Sequence, residues 1–251
     1  MSEELGIVIP DTARPEKYKE ARLAVTADEV ERAQELRFRV FVEEMGKGHR
    51  TESRRDEDDF DRVLKHLIVE NAEGDIVGTY RLQTWADAKK YRGLYSAGEF
   101  IMDPFEPYAS IILETGRACV RKEDRNLSVL RRLWRGIGQC MKTTGCKIVL
   151  GCSSLSTTDP GMAAKAYHWF KDNGHLARPE YLTVPHASGA CRLDVLSEEK
   201  LDIPKLLRAY LGIGAKIGGP PFIDTDFGTT DFLTILHLDD IPPDIRAKYI
   251  D

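Results

Sequence analysis

Two charged residues sit inside an otherwise apolar run. Ile111-Ile-Leu-Glu-Thr-Gly-Arg-Ala-Cys-Val120 reads as a β-strand, yet it carries Glu114 and Arg117. Burying a charge is costly unless the charge is paired or used. A carboxylate placed at a cleft can act as a general base, and a guanidinium offers a rigid fork of donors for a substrate carboxylate. Residues three apart on a strand point to opposite faces, so the alternation equally suits two separate structural charges. Two more charged islands flank apolar elements. Leu36-Arg-Phe-Arg-Val-Phe-Val-Glu-Glu-Met45 places Arg37, Arg39 and Phe41 in a helical pattern, and Asp58-Asp-Phe-Asp61 lies in a charge-rich loop beside Glu57. Arg81 closes the apolar run that starts at Ile76. Taken singly, each has a structural reading as helix surface charge, solvated acidic loop or strand-end charge.

Other chemistries lack their signatures. Gly151-Cys-Ser-Ser-Leu155 is not the G-x-S-x-G nucleophile elbow. Cys152 would need His168 as a partner to relay an acyl group, and a buried structural thiol is the competing reading. The six histidines form no H-x-x-x-H or H-E-x-x-H pattern, so no metal site is expected. Gly212, Gly214, Gly218 and Gly219 follow a helix rather than a strand, unlike a phosphate loop. Five cysteines, an odd number without a C-x-x-C pair, and no signal-peptide pattern imply reduced thiols in a cytoplasmic protein. A net charge of -5 argues against a nucleic-acid partner. With 42% hydrophobic and 31% charged residues, the composition is that of a water-soluble globular domain. No apolar run approaches the roughly 18 residues that span a bilayer.

The elements that would position these residues follow in order. Residues 1–22, with Pro10, Pro15 and many charges, are expected to form a flexible arm, and residues 23–251 a single domain. Thr26-Ala-Asp-Glu29 is a capping box opening a helix through Val30, Ala33, Leu36, Val40 and Phe41. Gly46–Asp61 is too polar for core and is expected as a surface loop. His66–Glu70, a turn at Ala72–Asp75, and Ile76–Leu82 predict a β-hairpin. Leu127, Leu130, Trp134, Ile137 and Met141 would line one face of a helix, followed by a short strand at Lys147–Gly151. A further helix begins at Pro160 and stops at Gly174. The tail predicts a strand at Cys191–Leu196, a helix opening at Pro204, and a last strand at Phe232–Leu238. Strands interleaved with helices argue for one α/β (or α+β) layered domain.

The order of the charged islands carries a resemblance. Arg37…Phe41, D-x-x-D at Asp58 and Asp61, Arg81 after Gly78-Thr-Tyr, and E-x-x-R at Glu114 and Arg117 resemble the signature of acyl-homoserine-lactone synthases. The chain is still more similar to the N-acyltransferases of ornithine-lipid synthesis. That pattern runs through Leu113-Glu-Thr-Gly-Arg-Ala-Cys-Val120, Leu133-Trp-Arg-Gly136, Gly151-Cys-Ser-Ser154 and Thr158-Asp-Pro160. It continues through Leu206–Ala215 and Asp226-Phe-Gly-Thr-Thr-Asp231, covering about Leu23 to Leu238. The resemblance implies a GNAT-like acyl-CoA N-acyltransferase fold, a twisted mixed sheet flanked by helices. It implies transfer of a long-chain (3-hydroxy)acyl group from acyl carrier protein to the α-amine of an amino acid, with ornithine as first choice.

Roles follow from that resemblance. An α-amine, with a pKa near ~8 or above, must lose a proton to attack a thioester. Glu114 would be the base, directly or through a water, and Arg117 would orient it or hold the substrate carboxylate. Glu114→Gln is expected to lower turnover greatly while leaving folding intact. Arg37, Phe41, Asp58, Asp61 and Arg81 would shape and rigidify the acceptor pocket by ion pairing, and the acidic pair would indirectly favour a dibasic acceptor. Backbone N–H groups from Ala118 through Cys119 to Val120 would serve the thioester oxyanion. The donor's phosphopantetheine arm would pair with that strand and meet the next helix near Ser128. Arg121-Lys-Glu-Asp-Arg-Asn-Leu-Ser128 lacks the Q/R-x-x-G-x-G/A loop of acetyl-CoA enzymes, which favours a carrier protein over acyl-CoA. Arg121, Lys122, Arg125, Arg131, Arg132 and Arg135 would steer the acidic carrier, or else form a solvated helix face. No cofactor beyond the donor thioester is implied. A lipid product would imply peripheral contact with the inner membrane. Two alternatives remain at this point. One is a synthase of other N-acyl amino acids or of a lactone-type signal. The other is a non-enzymatic protein that binds acyl carrier protein on the same fold.

Overall fold

A computed structural model describes residues 17–249. Alternating apolar residues build the expected hairpin from β2 (Lys65–Glu70) and β3 (Ile76–Thr84), with Gly74 in the turn at φ 90°, a conformation open to glycine. Next to β3 lies β4 (Ile112–Val120), antiparallel, and next to β4 lies β5 (Ile148–Leu155), the parallel neighbour. β8 (Thr229–His237) runs antiparallel along the whole of β5, which is why β5 extends past the expected stop at Gly151 through Cys152, Ser153 and Ser154. β1 (Arg22–Leu23) adds to β2, while β6 (Lys216–Ile217) and β7 (Phe222–Asp224) both pair with β8. The result is a mixed, mostly antiparallel eight-stranded sheet of order β1-β2-β3-β4-β5-β8-β6, with β7 also on β8.

Helices cover both faces. The predicted capping box starts α1 (Ala27–Arg37): Thr26 Oγ1 accepts from Glu29 N at 3.2 Å and Glu29 Oε2 accepts from Thr26 N at 3.2 Å. The helix then widens into a π-helical stretch at Phe38–Glu44, a geometry that clusters at functional sites. α1 packs through Ala33 and Leu36 on Ile68, Ile76 and Cys119. On that same face, α2 (Trp85–Lys90) and the 3-10 turns Tyr95–Gly98 and Asp103–Ile111 close a core of Phe100, Phe105, Leu150 and Leu233. The opposite face carries α3 (Leu127–Thr144), α4 (Pro160–Asp172) and α5 (Lys205–Gly212). α6 (Pro243–Tyr249) packs beside α3. No helix among the described residues is long and apolar enough to cross a membrane.

Four expectations change. In α3, Leu127 is 64% exposed, and the buried stripe is instead Val129, Leu133, Gly136, Ile137 and Met141. Its phase is fixed where Asn126 caps Ser128 N and Val129 N, and Gly78 lets Val129 and Leu133 approach β3 closely. Cys191–Leu196 forms no strand; only Ala190 bridges Phe222, and the polar Arg192 and Asp194 pair with each other at the surface. Of the expected arm, residues 1–16 lie outside the described residues, while 17–22 are docked: Tyr18 is buried and donates to Asp124 Oδ1 at 2.8 Å. Finally, the acidic loop runs over the surface with Glu57 and Asp59 exposed, but it turns Asp61 into the interior and leaves Asp56 and Asp58 half-buried.

Candidate active site

The register between β3 and β4 slips by one residue where Arg117 and Ala118 together oppose Tyr80. This β-bulge puts Arg117 at φ 50°, an uncommon conformation for a residue with a side chain, and it resets the alternation along β4. Arg117 and Glu114 therefore both reach the Tyr95–Gly98 turn. Arg117 Nη1 lies 3.4 Å from Tyr95 Oη, and Glu114 accepts from Tyr95 N at 2.9 Å and Ser96 N at 2.8 Å. Gln83, directly opposite Glu114 in the ladder, donates to its Oε2 at 2.6 Å. Glu114 is only 2% exposed, and three of the roughly four acceptor positions of its carboxylate are taken.

Arg37, Arg81 and the D-x-x-D pair form one network. Asp58 and Asp61 are first a capping box for a 3-10 turn: Asp58 Oδ1 accepts from Phe60 N, and Asp61 Oδ2 accepts from Asp58 N, both at 2.9 Å. The fully buried Arg37 then donates to Asp61 at 2.7 and 2.9 Å and to Asp56 Oδ2 at 2.8 Å, and also to the Asp56 carbonyl. Arg81 bonds Asp58 at 2.6 Å and lies 3.3 Å from Asp61. Burial alone would raise the Asp61 pKa, but the hydrogen bonds and charge of Arg37, with the charge of Arg81, hold it at about 2. Arg117 stands apart. Its contacts to Asp56 and Asp58 are 3.4 and 3.5 Å, and it lies over the rings of Phe227 (4.9 Å) and Tyr95 (5.3 Å). Its pairings are the longest of the three arginines, against 2.6 Å for Arg81 and 2.7 Å for Arg37. Phe41 joins the group through an edge contact with Phe227.

β4 and β5 pair only from Ile112 to Glu114 and then part. The gap opens where a Cβ on Gly151 would overlap the Thr115 carbonyl oxygen, so glycine is required there. Gly151→Ala should wedge the strands further, costing about 1–3 kcal/mol in denaturant unfolding, as over-packed sites do. Beneath the gap lies an apolar cavity holding about 830 Å³ of empty space, including its open mouth. Trp134, Ile137 and Met141 of α3 line it, with Ile213, Ile241 and Ile245 across from them. The Tyr80 and Tyr210 hydroxyls hydrogen-bond each other at its wall. Ala118 borders this space; Cys119 does not, its Sγ lying 3.7 Å from the Leu36 carbonyl on the other face. Val120 packs with the α3 core. At the mouth of α3 the Ser128 amide is already used by Asn126. Arg121 is tied to Asp124 at 2.6 Å and to Asp75, and Arg125 makes two bonds to Glu44, so acids from other elements offset much of the basic cluster.

Across the gap from Arg117, Cys152 lies 3.7 Å from Ser96 Oγ, and burial with nearby carboxylates pushes its thiol pKa up. His168 bonds the Leu193 carbonyl instead, so no Cys–His relay exists. Several neighbours carried no individual signal in the sequence: Asp56, Gln83, Tyr95 and Glu99. Asp231 ended a matched motif, but nothing pointed to its environment.

The Acetyltransferase (GNAT) domain family model matches residues 36–135. An L-ornithine N(alpha)-acyltransferase of Brucella abortus is 34% identical, covering 92% of this chain and 87% of the relative. One of Rhodobacter capsulatus is 32% identical over 89% of this chain and 91% of the relative. The chain belongs to the L-ornithine N(alpha)-acyltransferase family. Among solved structures, TofI in a ternary complex with an inhibitor and MTA superposes with a TM-score of 0.54 at 13% identity, covering 92% of this chain and 96% of that one. FeeM, an N-acyl amino acid synthase from uncultured soil microbes, gives 0.52 at 10% identity over 92% and 94%. These likenesses show that the fold is GNAT-like, as the sequence resemblance implied. The protein is an N-acyltransferase.

Proposed function

We propose that this acyltransferase moves a long 3-hydroxyacyl group from the phosphopantetheine thioester of acyl carrier protein to the α-amine of ornithine, giving N-acylornithine. The observation that carries this reading is the gap between β4 and β5. An apolar cavity lies under it, and a loosely paired arginine stands at its rim. A thioester entering the gap can send its acyl chain into the cavity while the acceptor approaches from the side of Arg117. Arg117, whose own pairings are long, turns its guanidinium to the acceptor's α-carboxylate. Glu114 has one acceptor position left and takes the α-ammonium proton through a water. The amine nitrogen then attacks the thioester carbon, the carbon–sulfur bond breaks, and the nitrogen's second proton passes to the departing sulfur, which leaves as the thiol. Backbone N–H groups near Ala118, freed from regular pairing by the bulge, stabilise the oxyanion. Lys122 just before α3 and Arg131 on it, both exposed, are the basic groups of the cluster left to meet an acidic carrier. If the product is a lipid, it leaves toward a membrane surface.

The test is mass spectrometry of products from purified protein with 3-hydroxyacyl carrier protein and an equimolar mixture of amino acids including ornithine, with acyl-CoA in a parallel arm. N-acylornithine as the dominant product, formed from the carrier-bound donor without S-adenosylmethionine, is the expected result. A different single product renames the acceptor, and a requirement for S-adenosylmethionine points to a signal synthase. Binding of the carrier with no product from either donor would leave the protein as a non-enzymatic binder.

A further inference from the structure

We infer that Glu99, Asp224 and Asp231 form the subsite for the primary ammonium at the far end of the acceptor's side chain. This rests on the acceptor reading above and deepens it. One carboxylate oxygen from each residue lies within 4.8 Å of the other two. The three come from different elements on the Arg117 face of the sheet. Asp231 on β8 faces Ser154 on β5, two residues beyond Cys152 at the gap. Asp224 ends β7 beside it, and Glu99 follows the turn that Glu114 anchors.

This trio differs from the Asp58–Asp61 pair in what it lacks. Asp58 and Asp61 are consumed by Arg81 and Arg37, so they have little left for a ligand's charge. Among the described residues, no lysine, arginine or histidine makes an ion pair with Glu99, Asp224 or Asp231. Glu99 and Asp231 are 7% and 4% exposed, yet Glu99 Oε2 and Asp231 Oδ1 have no hydrogen-bond donor. Unpaired buried carboxylates are expensive. Burial, with repulsion from the neighbouring acids, pushes the pKa values of Glu99 and Asp231 up; the hydrogen bonds from Cys152 to Glu99 and from Ser154 and Thr229 to Asp231, and the charge of Arg117, offset this only in part. A ligand ammonium answers the deficit with one positive charge and three donors. Arg117 contacts Tyr95, on the turn that leads to Glu99, and lies 4.9 Å over the ring of Phe227, which sits in the chain between Asp224 and Asp231. One acceptor can therefore place its α-carboxylate on the arginine and its side-chain ammonium on the acids.

The experiment compares kcat/KM for ornithine and for norvaline, which has the same carbon chain without the terminal amine. Wild-type protein is compared with Glu99→Gln, Asp231→Asn and Asp224→Asn. The ratio of the two values is independent of how much of each variant folds. Asp224→Asn also keeps the oxygen that caps Asp226 N and Phe227 N. We expect a wild-type preference for ornithine that falls at least about tenfold in each variant, as loss of one partner from a desolvated charge pair predicts. Ornithine preference unchanged in all three variants would overturn the subsite while leaving the acceptor reading intact. A wild-type preference for norvaline would overturn both. Loss of activity on chelation, restored by calcium or magnesium, would assign the trio to a metal and overturn the inference.

Discussion

Glu114→Gln will cut kcat by about 10²–10⁴-fold, the range that a positioned general base contributes. It will also lower stability, contrary to the sequence expectation of an undisturbed fold. Glutamine keeps one acceptor oxygen. The native carboxylate uses Oε1 for Ser96 N, and Oε2 for both Tyr95 N and the Gln83 amide. The new NH2 must face at least one of these donors, and a buried donor left without a partner costs about 1–3 kcal/mol. The two effects are separable. Denaturant unfolding reads the stability loss. Kinetics on fully folded enzyme read the rate loss, and that deficit should shrink as pH rises past the acceptor amine's pKa, about 8 or above, because bulk solvent then removes the proton. A deficit independent of pH would mean that Glu114 acts only by holding the Tyr95–Gly98 turn. Near-normal turnover in folded protein would take it out of the proton's path.

The sequence made the sheet's centre legible because local rules governed it. The capping box at Thr26, the hairpin and the E-x-x-R strand appear where alternation and turn chemistry put them. Alternation failed at the bulge. Period two sends Glu114 and Arg117 to opposite faces, and only the extra residue opposite Tyr80 brings them together. A bulge is one residue of slip, decided by long-range pairing, and no residue type marks it here. The acidic loop misled for a related reason. Charge density alone reads as solvated, but Arg37 and Arg81 arrive from α1 and β3 to neutralise it. The Glu99–Asp224–Asp231 trio was invisible because its members lie up to 132 positions apart and meet only through the fold. The Cys191–Leu196 segment shows the opposite error: a β-like composition that forms no ladder, with only the preceding Ala190 bridged to Phe222.

Arg37→Met is expected to be the most destabilising of the network substitutions. Methionine leaves the stem's apolar contacts largely in place, so the loss reports charge and hydrogen bonding rather than a cavity. All three guanidinium nitrogens are engaged by Asp56 and Asp61. Without them, Asp61 keeps the Asp58 N–H at 2.9 Å, Arg81 at 3.3 Å and His66 at 3.6 Å, and the Asp56 carboxylate keeps Arg117 at 3.4 Å. Breaking a buried pair from one side costs about 3–5 kcal/mol, measurable by urea unfolding near pH 7. The pH dependence carries the sign. Asp61 is held at about 2 in the folded state against an ordinary value of 3.8. Its contribution is therefore fully present above about pH 4 and is lost as pH falls toward 2. The gap between wild type and variant should narrow across that window, since acid removes from the wild type what the substitution has already removed. In kinetics, the orphaned acids should draw Arg117 toward them, raising the acceptor KM more than they lower kcat. A loss below about 1 kcal/mol, the range of exposed pairs, would mean that the Arg37 network is solvated and does not hold the acceptor side of the site.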